Sequence, residues 1–171
     1  MLEFRCPRHP DIDALCRLKI RAGVEKNGDT YRSDDMRQEI LGYLYNDTKE
    51  MLQQKNYKVI VAKDHDTLLG YALYHTKFNN QGTGTHMIVI DDLYSLGSKK
   101  QRVGGRLLEK ICAMEPHISH ITLQTKKEAI KFYQKMGFVE AEPQTEIMHL
   151  YGENLQRLRQ KRQRQHHLTA A

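Results

Sequence analysis

Apolar positions along this chain follow two different periods, and the switches between them mark out the elements. Over residues 11–21, Ile12, Leu15, Cys16 and Ile20 stand at spacings of three, one and four, which is one face of a helix. Residues 23–33, with two glycines and several turn-formers, predict a loop. Ser33 then suits the N-cap of a second helix whose apolar face is Met36, Ile40, Leu44 and Met51. After Asn56 the pattern becomes extended. Residues 57–63, YKVIVAK, are β-branched and mostly apolar on both sides, as expected of a strand covered on both faces. The turn DHDT leads to a strand over 68–78, and the turn NNQGTG opens another over 85–94, so the three strands predict an antiparallel meander.

The helical period returns at Gly104 with Leu107, Leu108, Ile111 and Cys112, and it ends before Pro116. A short strand over 118–123 follows. Ala129, Phe132, Tyr133 and Met136 then fall at i, i+3, i+4 and i+7 of a helix, with Gly137 where a C-terminal cap belongs. Residues 138–141 and 145–151 close the pattern as a strand pair around Pro143, and residues 1–5 supply a short first strand. One strand–helix–strand crossover puts a locally parallel pair inside a mixed sheet, an α+β arrangement.

A length of 171 residues suits one domain with a single core, and the composition, 39% hydrophobic and 28% charged, is that of a globular chain. The longest run of V, I, L, M or F is the four residues Met87 to Ile90, against about 20 needed for a spanning helix. No membrane partner is expected. Charge and proline in MLEFRCPRHP leave no signal-peptide core, which predicts a cytoplasmic protein. Cys6, Cys16 and Cys112 are odd in number and widely spaced, arguing against both a disulfide framework and a zinc knuckle. The net charge of +6 is uneven: from Glu153 onward, five basic residues against one acid carry +4 of it. Residues 1–152 therefore read as a nearly balanced domain and 153–171 as a basic tail outside the core, and nucleic acid could be a partner only through that tail.

The segment IVIDDLYSLGSKKQRVGGRLLEKI, residues 88–111, carries the most chemistry. A strand ends in two acids, passes into a loop rich in Lys, Arg and Gly, and starts a helix at Gly104-Gly105. Exposed N–H groups at a helix N-terminus favour an anion such as phosphate, and Lys99, Lys100 and Arg102 add charge. An ordinary strand–helix connection with solvated lysines is the plain alternative. Neither GxGxxG nor GK followed by Ser or Thr is present, so no dinucleotide or P-loop fingerprint is met.

Ala129-Ile130-Lys131-Phe132-Tyr133-Gln134-Lys135-Met136-Gly137-Phe138 matches A-x-x-F-Y-x-K-x-G-F at every specified position. On that match the chain resembles the GNAT superfamily of acyl-CoA-dependent N-acetyltransferases. The element order agrees from about residue 57 to 151, and the two N-terminal helices fit the family's variable acceptor-binding region. The resemblance implies a mostly antiparallel mixed sheet flanked by helices, acetyl-CoA as cosubstrate with no metal, an amine acceptor, and a possible homodimer. The family's other signature, Q/R-x-x-G-x-G/A, fits better from Lys99, with Arg102 in place of the first glycine and Gly104 as the second, than from Arg102, which keeps Gly105 but leaves Leu107 in the final small position. Cofactor affinity is the property that departure bears on. Another departure is Lys126, where the family often has Asn.

Residue by residue, the resemblance puts Leu93, Tyr94, Ser95, Lys99, Lys100, Gln101, Arg102, Val103, Gly104, Gly105, Lys126, Ala129 and Phe132 against the cofactor. Phe132 also reads as packing. An amine attacks a thioester only when neutral, so an ammonium of pKa about 10 must lose a proton, and Asp91 or Asp92 is the candidate base. Adjacent strand residues point to opposite faces, so at most one looks into the site unless a bulge intervenes. The resemblance favours Asp91. The period alone makes Tyr133 a core residue, whereas the resemblance places it near the cofactor sulfur, where its phenol can protonate the leaving thiolate.

His117 and His120 have no third ligand nearby in sequence, so a metal is not expected. His75 and His86 reach the acceptor only if their strands face it. Two functions follow: transfer of acetyl from acetyl-CoA to a primary amine by direct attack in a ternary complex, or a catalytically weak GNAT-like module binding RNA or an acidic protein through its basic tail.

Overall fold

A computed structural model describes residues 2–27, 34–78, 86–96, 101–142 and 146–168. Along the chain lie β1 (Leu2–Arg5), a 3-10 turn (His9–Asp11), α1 (Ile12–Asn27), α2 (Asp34–Gln53), β2 (Tyr57–Asp64), β3 (Thr67–Phe78) and β4 (His86–Ser95). Then come α3 (Val103–Met114), β5 (Ile118–Gln124), α4 (Lys127–Lys135), β6 (Val139–Glu140), β7 (Ile147–Tyr151) and α5 (Gly152–Leu168). The strands form one sheet in the order β1-β2-β3-β4-β5-β7-β6. The β4–β5 pair is parallel, while β1–β2, β5–β7 and β6–β7 are antiparallel. This is the mixed, mostly antiparallel α+β sheet expected from the sequence, with α3 as the helix connecting the parallel pair.

Contacts divide the chain into two compact units. One comprises residues 1–73 and 92–104, the other 74–91 and 105–171. In the first, Leu15, Leu18 and Ala22 of α1 pack with Val59, Val61, Leu68, Tyr71, Leu73 and Tyr94. Asp11, only 3% exposed, ties the start of this unit together. Its carboxylate accepts from Arg5 Nη1 at 2.6 Å and Nη2 at 3.2 Å, from Lys63 Nζ at 3.1 Å and from the Arg8 amide at 2.7 Å. The two-pronged Arg5 contact leads in holding the Asp11 carboxyl far below the usual carboxylate range, with burial opposing it. In the second unit, buried Ile121 and Leu123 of β5 and Met148 and Leu150 of β7 alternate with outward-facing neighbours, as half-covered strands must.

Three expectations need correction. Helix α1 does not stop at Arg21 but continues through Gly23 to Asn27. A mid-helix glycine costs about 1 kcal/mol, and burial of Leu18 and Ala22 on the same face outweighs it. Met36, placed on the inward face of α2, is exposed; the face that turns in carries Thr48, fully buried, with Met51 and Leu52 against the core. The last segment is not outside the core. Leu155 and Leu158 are 2% and 1% exposed, and α5 packs on β5 and β7. An i, i+3 leucine pair is the narrowest stripe a helix can bury, which is why its charged surroundings hid it. The Ser33 cap, the turn at 79–84, Pro143 and Thr145 lie outside the described residues.

Candidate functional site

Tyr133 sits at the third position from the C-terminus of α4, and the helix ending fixes it. Gly137 takes φ +95°, the left-handed conformation that suits glycine. The Phe138 amide then donates to Tyr133 O at 3.0 Å and the Gly137 amide to Gln134 O at 3.0 Å, the paired bonds of a Schellman cap. The apolar contact that accompanies such a cap is made by the Tyr133 and Phe138 rings, with centroids 5.4 Å apart and an edge-to-face tilt. Phe132 also meets Tyr133 edge to face, with centroids 4.9 Å apart. Tyr133 is buried, as the helix period predicts. In the same unit Phe132 and Ala129 are half-buried and Lys126 is exposed, with extended backbone as the N-cap of α4. Gly105, at the start of α3, lies where a Cβ would come 3.4 Å from Met136 Sδ, so the two helices meet closely there.

The two acids of β4 have different partners. In the second unit, Asp91 Oδ2 lies 2.6 Å from Nδ1 of His75 on β3. His75 is buried, whereas the Asp91 side chain keeps 31% of its surface exposed. In the first unit, the Tyr71 hydroxyl donates to Asp92 Oδ2 in a short hydrogen bond. Burial first, and then the charge of Asp92, push the Tyr71 phenol well above the usual tyrosine range, so it stays a donor. Tyr94 lies beside Tyr71, centroids 6.2 Å apart, and burial first, then Glu25 of α1, push its phenol up to about 12. Glu25 in turn accepts from Arg21 Nε at 3.0 Å.

The end of β4 and the start of α3 meet β3 at Gly70. A Cβ at that position would fall 2.7 Å from the Tyr94 carbonyl and 3.0 Å from Val103 Cγ1, so glycine permits the approach that lets the Leu96 amide donate to Leu69 O at 2.6 Å. Ser95 is exposed and Leu93 half-buried. Helix α3 starts one residue before the predicted Gly104, at Val103, directly after Arg102. Arg102, standing where the family signature has its first glycine, takes φ +49°. A left-handed backbone at a residue with a Cβ costs roughly 1–2 kcal/mol. Gln101 is half-buried, Gly104 and Gly105 are buried, and Lys99 and Lys100 lie outside the described residues.

Elsewhere, His120 pairs with His149 across β5 and β7, centroids 6.0 Å apart, and burial followed by His149 lowers its pKa. Cys112 is buried and its thiol pushed up to about 12 by burial, and burial also raises that of Cys16, so neither is a thiolate at neutral pH. No helix among the described residues is long and apolar enough to cross a membrane.

Residues 29–151 match the model of the acetyltransferase (GNAT) domain. The chain belongs to the GNAT family. This GNAT chain has no match among curated proteins. Its fold is shared by solved structures of low identity. A transcriptional regulator from Bacillus halodurans superposes with TM-score 0.64 at 18% identity, covering 83% of this chain and 95% of its own. The PaiA N-acetyltransferase from Thermoplasma acidophilum, in complex with coenzyme A, gives 0.63 at 18%, covering 89% and 99%. An aminoglycoside N-acetyltransferase in complex with CoA gives 0.61 at 15%, covering 83% and 90%. GNAT enzymes use acetyl-CoA, and the family membership makes this chain an acetyltransferase in general terms.

Two residues that contact the acids, Tyr71 and His75, and Glu25 beside Tyr94 are not singled out as site residues by the sequence. In the sequence His75 reads only as facing the acceptor or solvent. The available signal was parity along β3, which cannot say which face a strand covers when apolar residues occupy both.

Proposed function

We propose that this GNAT chain transfers acetyl from acetyl-CoA to a primary amine by direct attack in a ternary complex. The observation that carries the proposal is Tyr133: a buried phenol within the family's A-x-x-F-Y-x-K-x-G-F signature, held by the Gly137 cap and its Phe138 contact. The chemistry of the residues fits the cosubstrate. Helix α3 opens with backbone donors that have no intrahelical acceptor, preceded by the Arg102 cation, an arrangement suited to a pyrophosphate. In this reading Lys99 to Gly105 hold the pyrophosphate, the backbone of Leu93 to Ser95 aligns the pantetheine arm, and Lys126, Ala129 and Phe132 line its path. When bound, acetyl-CoA supplies an activated acyl group as a thioester.

The base is Asp91. It keeps exposed surface through which an ammonium can give up its proton, whereas Asp92 is engaged by a phenol that burial makes a permanent donor. Asp91 takes the proton from the acceptor nitrogen, the neutral amine attacks the thioester carbonyl, and Tyr133 gives its hydroxyl proton to the departing sulfur. Three free thiols, Cys6, Cys16 and Cys112, suit a reducing cytoplasmic location.

Thermal unfolding with and without acetyl-CoA, together with thiol release in the presence of a panel of primary amines, tests the proposal. At 100 times its dissociation constant acetyl-CoA should add about 2.7 kcal/mol of stability. Neither stabilisation nor amine-dependent thiol release would leave the rival, a module binding an acidic partner through α5.

A further inference from the structure

We infer that His75 is the positioning residue for Asp91, so that the base of the acetyl transfer is a hydrogen-bonded pair rather than a lone carboxylate. This rests on the function proposed above. The Nδ1–Oδ2 distance of 2.6 Å is that of a strong, charge-assisted bond. A carboxylate oxygen only accepts, so the hydrogen of this bond is carried by Nδ1 of His75. Because His75 is buried and the Asp91 side chain is 31% exposed, the imidazole anchors the carboxylate from the covered side by one oxygen. The other oxygen of Asp91 is left to take the proton: one acceptor N–H bond breaks, one carboxyl O–H bond forms, and the Nδ1 proton stays on His75.

The same strand supplies the contrast. The donor to Asp92 is Tyr71, a phenol, in the core cluster with Leu15 and Leu18. That bond ties a half-buried carboxylate to a buried phenol, whereas the one to Asp91 fixes the orientation of a more exposed acid that solvent and an acceptor can reach. A freely rotating exposed aspartate would spend much of its time in unproductive rotamers, and holding it in one is a proximity effect.

The experiment compares Asp91→Asn, His75→Phe and His75→Asn by steady-state kinetics, with the His75 Nδ1 proton followed by NMR in the folded wild type and Asp91→Asn. Phenylalanine fills the space without a donor. Asparagine keeps an amide near the Nδ1 position. We expect Asp91→Asn to abolish turnover, His75→Phe to lower kcat by about 10- to 100-fold with the KM for acetyl-CoA unchanged, and His75→Asn to recover most of that loss. The Nδ1 proton should resonate far downfield in the wild type and move upfield in Asp91→Asn. Wild-type turnover by Asp91→Asn would overturn the base assignment itself. An essential Asp91 with His75→Phe as fast as wild type, or with His75→Asn as slow as His75→Phe, would overturn only the role of His75. If His75→Phe does not fold, absence of the downfield proton in the wild type still overturns it.

Discussion

At the scale of single residues, Tyr133 is held twice, by its own carbonyl in the Schellman cap and by two edge-to-face rings. Neither restraint uses the hydroxyl as ring packing does. Replacing Tyr133 by Phe should therefore keep the fold and the KM for acetyl-CoA while lowering kcat by about 10- to 1000-fold, the range in which general acids act. Thiol release measured under conditions where chemistry limits turnover checks this; an unchanged kcat would assign the proton to water and leave Tyr133 structural. The burial of Tyr133 was legible because the helix period fixes which face turns inward. The left-handed backbone at Arg102 was not, because nothing local in an arginine asks for positive φ. His75 was illegible for a different reason: a strand covered on both faces has no alternation to read.

At the scale of elements, the first unit depends on Asp11 joining β1, β2 and the turn before α1. Its carboxyl pKa is depressed in the folded state, chiefly by Arg5, so folding binds the ionised form more tightly than unfolding does. That stability is fully present above the unfolded pKa of about 3.9 and is lost as pH falls below it. At neutral pH Asp11→Asn should cost about 3 kcal/mol, since it takes from Arg5 and Lys63, 15% and 21% exposed, the buried carboxylate they share, leaving Arg5 only its more exposed pair with Glu3. Thermal melts from pH 7 down to pH 3 should show the gap between wild type and variant constant near neutrality and closing below about pH 4. A gap independent of pH would mean that shape rather than charge is what Asp11 contributes. Little of this was visible in the sequence, where an aspartate before an apolar helical face reads only as a start signal. By contrast, the meander, the crossover and α4 were legible, because each carries a long enough run of one period to outvote local exceptions.

For the whole chain, the question is what the last segment does, and its composition points one way while its packing points another. Charge and scarce apolar residues mark 153–171 as a solvated appendage. Yet Leu155 and Leu158 lie in the core of the second unit, and Asn154 Nδ2 donates to Gly137 O at 3.0 Å. Arg159 Nη2 reaches Glu115 O at 3.3 Å and Ile118 O at 3.1 Å, serving carbonyls where α3 gives way to β5. Full burial of a leucine is worth about 1.5–3 kcal/mol, and each of these hydrogen bonds about 1 kcal/mol. Their loss would remove much of a total stability that is typically about 5–15 kcal/mol. Truncation after Gly152 should therefore yield an unfolded or insoluble chain. Truncation after Gln160 keeps both leucines, Asn154 and Arg159, and should retain a melting temperature near that of the full chain together with its acetyl transfer. The pair of truncations separates two roles that a single deletion would confuse. If the shorter loss also abolishes binding to a polyanion, and the full chain's binding weakens steeply with salt, then the basic end is a docking segment carried on a structural helix. If the longer truncation melts like the full chain, the packing of α5 contributes nothing, and the cap at Gly137 must hold Tyr133 without the Asn154 contact.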